Sequence, residues 1–399
     1  DPDGVEMYDS GFAPFAGLNH QQFVYHSDFA TCELLANNAT GSDCDDTDAT
    51  LNNYDEDGDG QTSCEGDCND LDPAISSLAN EIWYDGVDQN CDGLNDWDSD
   101  YDGMDDRSVD LTNTPRFVME LFPIGNSNGN VVQGLGVDLE RRELWVSQDM
   151  GSYTEDVLVN RISLETGHTQ YCEEYGGSES LGHGQDLSIE YTSTGSRMLW
   201  IGSESDRGVT RVDPETKTID VLSNLLPSGY SHSTPAMGLH SQWVAVRGSQ
   251  DGNSTTNDWI RIYDKTEIES GFGNNVAPSP LYEFNIDAAQ RVDAMWFQGI
   301  ALDEELGLVY ALTGNSSLSQ NKLLYVYDLT GNVLQTLSID VDNAVADAVG
   351  NKYEPEGLSL VKDPITEQRY LYFTLMFGSS GNNIKRMYVL APPTEDMGG

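Results

Sequence analysis

The chain has 399 residues, and its 68 Asp and Glu residues outnumber its 19 Lys and Arg residues, giving a formal net charge of −49 at pH 7. This charge repels nucleic acids and anionic membrane surfaces, which excludes proteins that bind either one by charge attraction. Hydrophobic residues make up 38 % of the sequence, enough for a folded core in at least part of it.

The first quarter of the chain is the most acidic part, with 29 Asp and Glu residues and one basic residue, Arg107, in residues 1–110. Five of the six cysteines also lie there, namely Cys32, Cys44, Cys64, Cys68 and Cys91. A small, core-poor, cysteine-rich segment indicates disulfides and an extracellular or cell-surface location, with a soft-metal site as the alternative. No signal peptide, transmembrane run or lipidation motif is visible, and the abrupt ends predict a processed piece of a longer precursor.

Two segments of the acidic quarter, residues 55–60 and 98–103, share the pattern D-x-D-x-D-G, and each is followed by another Asp twelve residues after its first, Asp67 and Asp110. Carboxylates at positions 1, 3 and 5 converge when a Gly at position 6 lets the chain turn, which is the geometry of a calcium loop. A backbone carbonyl at position 7 would come from Gln61 or Met104. The usual Glu at position 12 is absent, so paired EF-hands are not expected.

A second acidic pattern repeats in residues 43–48 and 67–72, and residues 85–93 add further oxygen side chains. Oxygen ligands favour calcium over copper, so we expect several Ca²⁺ ions that staple a small domain in place of a hydrophobic core. The candidate metal ligands are Asp43, Asp45, Asp46, Asp48, Asp55, Asp57, Asp59, Gln61, Asp67, Asn69, Asp70, Asp72, Asp85, Asp88, Asn90, Asp92, Asp98, Asp100, Asp102, Met104 and Asp110.

Residues 55–96 resemble the repeat of bacterial surface metal-binding proteins, through Pro73, Glu81 and the run from Asp85 to Gly93. The D-x-D-x-D-G parts also resemble thrombospondin type 3 repeats. The bacterial resemblance implies a disulfide between Cys68 and Cys91. Residues 32–48 look like a degenerate first copy, and the partners of Cys32, Cys44 and Cys64 stay open.

The rest of the chain contains a five-fold repeat of short β-strands separated by Gly, Asn, Ser and Asp turns. The first strand of each unit begins at Gln133, Gln185, Met237, Gln298 and Glu356, in steps of 52, 52, 61 and 58 residues. A spare strand, Phe117–Leu121, precedes the first unit, and the fifth unit lacks a fourth strand. We therefore predict an all-β fold, a five-bladed β-propeller closed by the spare strand and preceded by a loop-rich module stabilised by disulfides and calcium.

The predicted domains are an N-terminal extension (1–40), an Asp-rich calcium-binding module (41–110), the propeller (115–391) and a C-terminal tail (392–399). The propeller resembles that of phage tail receptor-binding and teichoic-acid biosynthesis proteins, on the motifs Gln133-Gly134, Gln298-Gly299, and the runs 182–185 and 354–357. The third unit departs from the pattern, with Met237 in place of a polar residue. The resemblance implies binding to a surface glycan or another cell-surface ligand.

Inner strands of a propeller start around the central channel, so the polar residues at these starts should ring one channel mouth. The expected ligand-binding residues are Gln133, His183, Gln185, His232, Gln298, Glu354 and Glu356. A structural reading is that they bind channel water and one another. A calcium ion on Glu354 or Glu356 is a further alternative.

The sequence favours a non-enzymatic adhesin or receptor-binding protein whose partner is a surface glycan or protein. One alternative is a structural subunit of an extracellular fibre or surface layer that forms homo-oligomers or polymers through the aromatic stretch Phe12–Leu35. A second alternative is a calcium-dependent propeller hydrolase of the phytase or lactonase type. No clustered basic residues for phosphate and no nucleophile elbow occur, which disfavours this enzyme. Neither nucleic-acid binding nor membrane insertion is expected.

Overall fold

The structure is a computed structural model that describes residues 23–25, 32–36, 39–41, 44–45, 51–83, 85–93, 105–109, 111–123, 131–149, 157–176, 181, 184–202, 208–249, 257–273, 276–287, 296–317, 321–339, 353–378 and 383–391. The chain divides into two compact units, Asp1–Asp106 and Arg107–Gly399. Within the described residues, no helix combines the length and apolar character needed to span a membrane.

The first unit combines a small sheet with a long irregular segment. Its sheet has the order β1-β2-β3, formed by β1 (Phe23–Tyr25), β2 (Cys32–Ala36) and β3 (Ala39–Gly41). The described part of residues 51–93 contains turns, bends and one 3₁₀ turn, Ser63–Glu65. This composition, rich in Asp, Asn, Ser and Gly, favours local side-chain to backbone hydrogen bonds over regular elements.

Two disulfides cross-link the first unit. The Cys68–Cys91 bond that the family resemblance implies is confirmed. The second bond joins Cys44 to Cys64, which resolves two of the partners that the sequence left open. Each bond closes a loop of about twenty residues in a segment with few buried apolar side chains, so each restricts the unfolded chain substantially.

The second unit is a five-bladed β-propeller, as the sequence predicts, and each blade is a four-stranded antiparallel sheet. One strand, β4 (Arg116–Glu120), comes before the first blade. Blade 1 contains β5 (Val131–Asp138), β6 (Glu143–Asp149), β7 (Val157–Ser163) and β8 (Thr169–Tyr175). Blade 2 contains β9 (Leu187–Tyr191), β10 (Arg197–Gly202), β11 (Val209–Val212) and β12 (Ile219–Leu222).

Blade 3 contains β13 (Ser231–Met237), β14 (Trp243–Ser249), β15 (Asn257–Asp264) and β16 (Tyr282–Asp287), with the helix α1 (Lys265–Gly271) after β15. Blade 4 contains β17 (Phe297–Asp303), β18 (Leu308–Thr313), β19 (Leu323–Asp328) and β20 (Val333–Ser338). Blade 5 contains β21 (Tyr353–Lys362), β22 (Arg369–Phe377) and β23 (Ile384–Leu390).

The ring is closed by β4, which pairs antiparallel with β23 as the outer strand of blade 5. The last blade therefore combines three strands from the C-terminal end of the propeller with one from its N-terminal end. The register places Phe117 opposite Tyr388, and their rings meet edge to face with centroids 5.9 Å apart. Closure of this kind ties the two ends of the ring together.

The cores lie mainly between neighbouring blades. Trp145 of blade 1 packs in one cluster with Leu187 and Leu199 of blade 2, and Trp200 packs in another with Val244 of blade 3. The side chains alternate between the two faces of each sheet, so each blade contributes to two such clusters. Both tryptophans therefore belong to the inter-blade core.

The register of the sheets corrects the alignment of the third unit. Leu144, Leu199 and Val309 stand opposite Val137, Ile189 and Leu302 in their blades. In blade 3 the matching pair is Val244 opposite Met237, so Met237 corresponds to Val137 rather than to Gln133. The residue equivalent to Gln133 is then Ser233, which is fully buried. The prediction that Met237 replaces the polar residue is wrong.

Buried ion pairs join consecutive blades at two equivalent places. Asp138 ends the inner strand of blade 1 and binds Arg197 of blade 2, with 2.6 Å between Oδ2 and Nε. Asp303 ends the inner strand of blade 4 and binds Arg369 of blade 5 at 2.7 Å between the same atoms. These four side chains are 5 % exposed or less, so the charges compensate each other away from solvent.

Candidate functional site

The inner strands approach one another closely at one level of the propeller axis. Each inner strand contributes to this level the residue that comes directly after Gln133 or after its equivalent in the other blades. These residues are Gly134, Asp186, Thr234, Gly299 and Gly357. A Cβ atom added to Gly134 would lie 2.4 Å from the backbone carbon of Asp186, and one on Gly299 would lie 2.8 Å from the backbone nitrogen of Leu358. We call this level the waist of the propeller; a side chain at any of its three glycine positions would force the strands apart.

The Asp186 side chain lies at the waist and is fully buried. Its carboxylate accepts hydrogen bonds from the backbone N–H groups of Leu187 and Ile300, both at 2.9 Å, and of Leu358 at 3.4 Å. The N–H of Leu135 also donates to it. One carboxylate therefore contacts the inner strands of blades 1, 2, 4 and 5.

The inner strand of blade 3 has no backbone N–H group at the equivalent position. The four donating residues all follow the waist residue of their strand directly, and in blade 3 that place is taken by Pro235, which lacks an N–H group. Asp186 thus satisfies each backbone donor that this ring of five positions presents. Burial raises the pKa of Asp186 well above its usual range, and these hydrogen bonds oppose the shift.

The side of the waist where the inner strands start contains the residues expected at the channel mouth. Gln185 donates from Nε2 to the backbone oxygen of Phe297 at 3.3 Å, from blade 2 to blade 4. Gln298 donates from Nε2 to the oxygen of Gly314 at 2.9 Å and to Oε1 of Glu354 at 3.1 Å. The structure thus brings Gln298 and Glu354 into direct contact, and Gln185 close to the same strand.

Gln133 and His232 are two other expected mouth residues within the described part of the chain. Gln133 and His232 are half-buried, and the backbone oxygen of Gln133 accepts from the N–H of Asp186 at 3.1 Å. His232 has a φ of 57°, in the left-handed region that a non-glycine residue adopts only under local constraint. His183 lies outside the described residues.

Glu354 and Glu356 are two acidic residues of this side. Burial raises the pKa of Glu354, although the Gln298 hydrogen bond and the nearby Lys322 ammonium oppose the rise. Burial raises the pKa of Glu356 well above its usual range, and the charges of Glu354 and Asp186 add to the effect. The Lys322 ammonium lies 4.4 Å from the centre of the Tyr353 ring, and burial lowers its pKa.

The opposite side of the waist holds a cavity of about 560 Å³. It is lined by residues from all five inner strands, including Val137, Ser188, Ala236, Ala301 and Ser359. Its rim adds polar and apolar side chains from strand ends and loops, among them Glu140, Tyr191, Met237, Lys362, Asp363 and Ile365. None of the expected mouth residues within the described part of the chain lines this cavity.

The cavity wall is held in place by bonds between neighbouring inner strands. The hydroxyl of Ser188 accepts from the N–H of Met237 at 2.7 Å, and that of Ser359 accepts from the N–H of Val137 at 3.0 Å. The Tyr191 ring is stacked under the Arg197 guanidinium, whose carbon is 4.3 Å from the ring centre. The sequence analysis predicted neither this cavity nor the role of Asp186. The sequence does carry a signal for Asp186, because three other units have Gly at the equivalent position.

In the first unit, Asp55, Asp57 and Asp59 form a group whose ligand oxygens all lie within 4.8 Å of one another. The loop is shaped by its own carboxylates: Asp55 accepts from the N–H groups of Gly58 at 2.6 Å and Gly60 at 3.1 Å. Both glycines have positive φ values, 85° and 102°, which the sharp turn requires. The D-x-D-x-D-G spacing thus produces the converging carboxylates that it predicts.

Asp67 is the fourth acid near this group. It is 3 % exposed, and its Oδ2 atom is buried without a hydrogen-bond partner among the described residues. Burial raises its pKa, and the charges of Asp70, Asp57 and Asp59 contribute to the rise. A buried carboxylate oxygen facing other carboxylates fits a hard cation, since oxygen ligands at this charge density suit calcium or magnesium.

The remaining metal candidates are more dispersed. Asp88 and Glu81 each leave one buried oxygen without a partner, while their other oxygens accept from the N–H groups of Gly93 and Asn90. The Asp85 carboxylate accepts a hydrogen bond from Nε2 of Gln89. Asn69 and Asp72 form hydrogen bonds within local turns, and Asp45 is exposed. The candidates outside the described residues are Asp43, Asp46, Asp48, Asp98, Asp100, Asp102, Met104 and Asp110.

Comparison with known proteins gives matches for both units. A family model described as "Putative metal-binding motif" matches residues 43–61 and 67–96. This match and the carboxylate group around Asp57 indicate a metal-binding module.

Two individual proteins resemble the propeller. The "Putative major teichoic acid biosynthesis protein C" of Bacillus subtilis (strain 168) is 25 % identical over 301 residues, which cover 70 % of this chain and 63 % of that protein. The tail fiber of Staphylococcus aureus phage P68 has a TM-score of 0.53 at 18 % identity, covering 75 % of this chain and 56 % of its own, and shares the fold. The chain spans less than two thirds of the length of either one.

The model described as "Phage 5-bladed beta propeller receptor binding platform domain" matches residues 131–389, from the first residue of β5 to the penultimate residue of β23. Since this match covers more than half of the sequence, the chain belongs to the family of phage five-bladed β-propeller receptor-binding platform domains.

Proposed function

We propose that this protein is an extracellular or cell-surface binding protein whose propeller holds a glycan in the axial cavity, and whose first unit is stabilised by calcium. The observation that carries the proposal is the cavity of about 560 Å³, to which all five inner strands contribute. Its volume lies within the usual range for ligand sites, about 300–1,000 Å³. Membership of a receptor-binding platform family supports a binding role rather than a catalytic one.

The lining chemistry favours a sugar. A sugar ring has an apolar face of C–H groups and a rim of hydroxyls, so it needs both apolar surface and hydrogen-bonding groups. The cavity offers Tyr191, Met237 and Ile300 as apolar surface, and Glu140 and Asp363 as acceptors at its edge. This combination of a mainly apolar wall with a few polar groups is typical of small-molecule sites.

The charge of the propeller favours a neutral or amino-bearing glycan over a polyanionic one. Residues 111–399 contain 39 acidic and 18 basic residues. Two cations near the cavity are paired with carboxylates: Arg197 with Glu140 at 2.8 Å, and Lys362 with Glu305 at 2.8 Å. A phosphate-rich ligand would have to compete with these carboxylates and would meet the net negative charge of the propeller.

Calcium in the first unit is the second element of the proposal. The support is the group of Asp55, Asp57 and Asp59, together with the buried, unpartnered oxygen of Asp67. All four supply hard carboxylate oxygens, which favour calcium over copper or zinc. Bound ions would replace the hydrophobic core that this unit lacks.

A glycan array probed with the whole protein tests the binding role. Tyr191→Ala removes an aromatic side chain from the cavity wall, and Tyr282→Ala removes one of equal exposure, 39 % against 37 %, from the outer strand of blade 3. We expect Tyr191→Ala to abolish binding of the selected glycan and Tyr282→Ala to retain it. If both tyrosine variants bind the glycan equally and only Gln298→Ala loses binding, the glycan site lies instead on the strand-start side of the waist.

A further inference from the structure

Glu356 is a buried carboxylate whose Oε2 atom has no hydrogen-bond partner among the described residues. The residue is 2 % exposed, on the strand-start side of the waist. Two other carboxylates of the propeller differ from it. Asp186 accepts four backbone N–H groups, and Glu304 accepts those of His240 and Trp243, the latter at 2.7 Å. An unsatisfied buried carboxylate is costly, so an additional partner is expected.

A second carboxylate lies beside it. Glu354 precedes Glu356 by two positions on β21, so both side chains belong to the same face of the strand. Their negative charges are close enough to repel each other. The Oε1 atom of Glu354 is occupied by the amide of Gln298 at 3.1 Å, which also fixes the position of this carboxylate.

The surrounding side chains supply little positive charge. Among the described residues, the charges that act on Glu356 are those of Glu354 and Asp186, and both are negative. Lys322 interacts with Glu354 electrostatically, but its ammonium donates to the backbone oxygen of Ser317 and faces the Tyr353 ring. The residues equivalent to Glu356 in the other blades are Gln133, Gln185, Ser233 and Gln298, which are neutral and carry oxygen atoms.

We propose that Glu354 and Glu356 bind a hard divalent cation of the calcium type beside the propeller axis. The unpartnered Glu356 oxygen, the fixed Glu354 carboxylate and the neutral oxygen-bearing side chains at the same level form a ligand set that suits such an ion. Both glutamates belong to the propeller unit rather than to the Asp-rich module, and they lie across the waist from the cavity. The cation site therefore does not depend on the proposed glycan.

The number of calcium ions bound per chain tests the proposal. Isothermal titration of the whole protein with calcium chloride, after removal of metal by a chelator, gives this number for the wild type, Glu356→Gln and Glu354→Gln. The matched control is Glu304→Gln, which neutralises a propeller carboxylate with several backbone donors. We expect one ion fewer in each of the two site variants, or an affinity at least about tenfold weaker for one ion. The control should bind as the wild type does.

A second measurement covers the case in which Glu356→Gln folds poorly. The denaturation midpoint of the propeller is followed with and without a chelator in the wild type and in Glu354→Gln, whose side chain is less buried. We expect the chelator to lower the wild-type midpoint and to leave that of Glu354→Gln unchanged. Unchanged calcium stoichiometry in both site variants, or an equal chelator effect in all proteins, would show that Glu356 is instead buried as a neutral, protonated acid and would overturn the proposal.

Discussion

The Oδ2 atom of Asp186 in blade 2 accepts a hydrogen bond from the backbone N–H of Ile300 in blade 4, at 2.9 Å, so one side chain bridges strands across the propeller axis. Together with its bonds to the strands of blades 1 and 5, it makes the waist a connected unit. The glycines of the waist leave the space that this carboxylate occupies.

Replacement of Asp186 should destabilise the propeller strongly. Asp186→Ala leaves four buried backbone N–H groups without an acceptor, and we expect the free energy of unfolding to fall by about 3 kcal/mol or more. Asp186→Asn keeps one acceptor oxygen, so the free energy of unfolding should fall less in this variant. Urea denaturation followed by tryptophan fluorescence measures the change, with the exposed Glu215→Gln as control. A loss below about 1 kcal/mol in Asp186→Ala would contradict the role assigned to this residue.

The buried ion pair between Asp303 and Arg369 should contribute more to the stability of the propeller than an exposed ion pair does. Both side chains have 0 % exposure, and Arg369→Ala leaves a buried carboxylate uncompensated, with an expected loss of about 3–5 kcal/mol. Lys217→Ala removes a surface partner of Glu173 and should change stability little. Equilibrium unfolding of the two variants in parallel gives the comparison, and similar losses in both would refute the expectation.

The Cys68–Cys91 bond should stabilise the first unit selectively. Replacing both residues by Ser opens a loop with a sequence separation of 23, and we expect a loss of about 3–4 kcal/mol in that unit. Limited proteolysis should then cut within residues 51–93 while the propeller stays intact. Cys172→Ser in β8 is the control, because Cys172 belongs to neither disulfide. Unchanged resistance of the first unit would mean that other contacts hold it.

Asp67 should contribute to calcium affinity although it lies outside the D-x-D-x-D-G run. Asp67→Asn removes a buried charge beside Asp57 and Asp59, and calcium affinity of the first unit should fall at least about tenfold. Glu56→Gln removes an exposed acid from the same loop and should have a small effect. Titration of each variant with calcium distinguishes these outcomes; equal losses would show that total loop charge, rather than coordination, sets the affinity.

The sequence predicts the fold well because its repeat is regular. The short strands between turn residues recur in each unit, and the spare strand before the first unit predicts closure by β4. The error in blade 3 has a physical cause: Ser233, Thr234 and Pro235 lack the Gln or Glu that stands at the start of the other four units. Only the pairing of Val244 with Met237 reveals their place.

The site is less predictable than the fold. The spacing of Asp55, Asp57 and Asp59 predicts their convergence, because adjacent positions in one turn determine it. The Asp186 bonds depend instead on where four distant strands meet, and the cavity depends on residues that belong to five different strands. Local patterns do not contain such distances. The Cys44–Cys64 pairing is similar, since several partners were compatible with the sequence.

The position of β4 has a mechanical consequence. Along the chain, β4 comes soon after the boundary at Arg107, and only the segment around the buried Val109 precedes it. A pull transmitted through the N-terminal unit therefore acts first on Val109, whose N–H donates to the Tyr310 hydroxyl of blade 4 at 3.2 Å, and then on the β4–β23 ladder. This ladder is short, five residues on the β4 side. Under load, once the Val109 contact is broken, this ladder should be the first to separate, leaving an opened ring whose four complete blades are still folded.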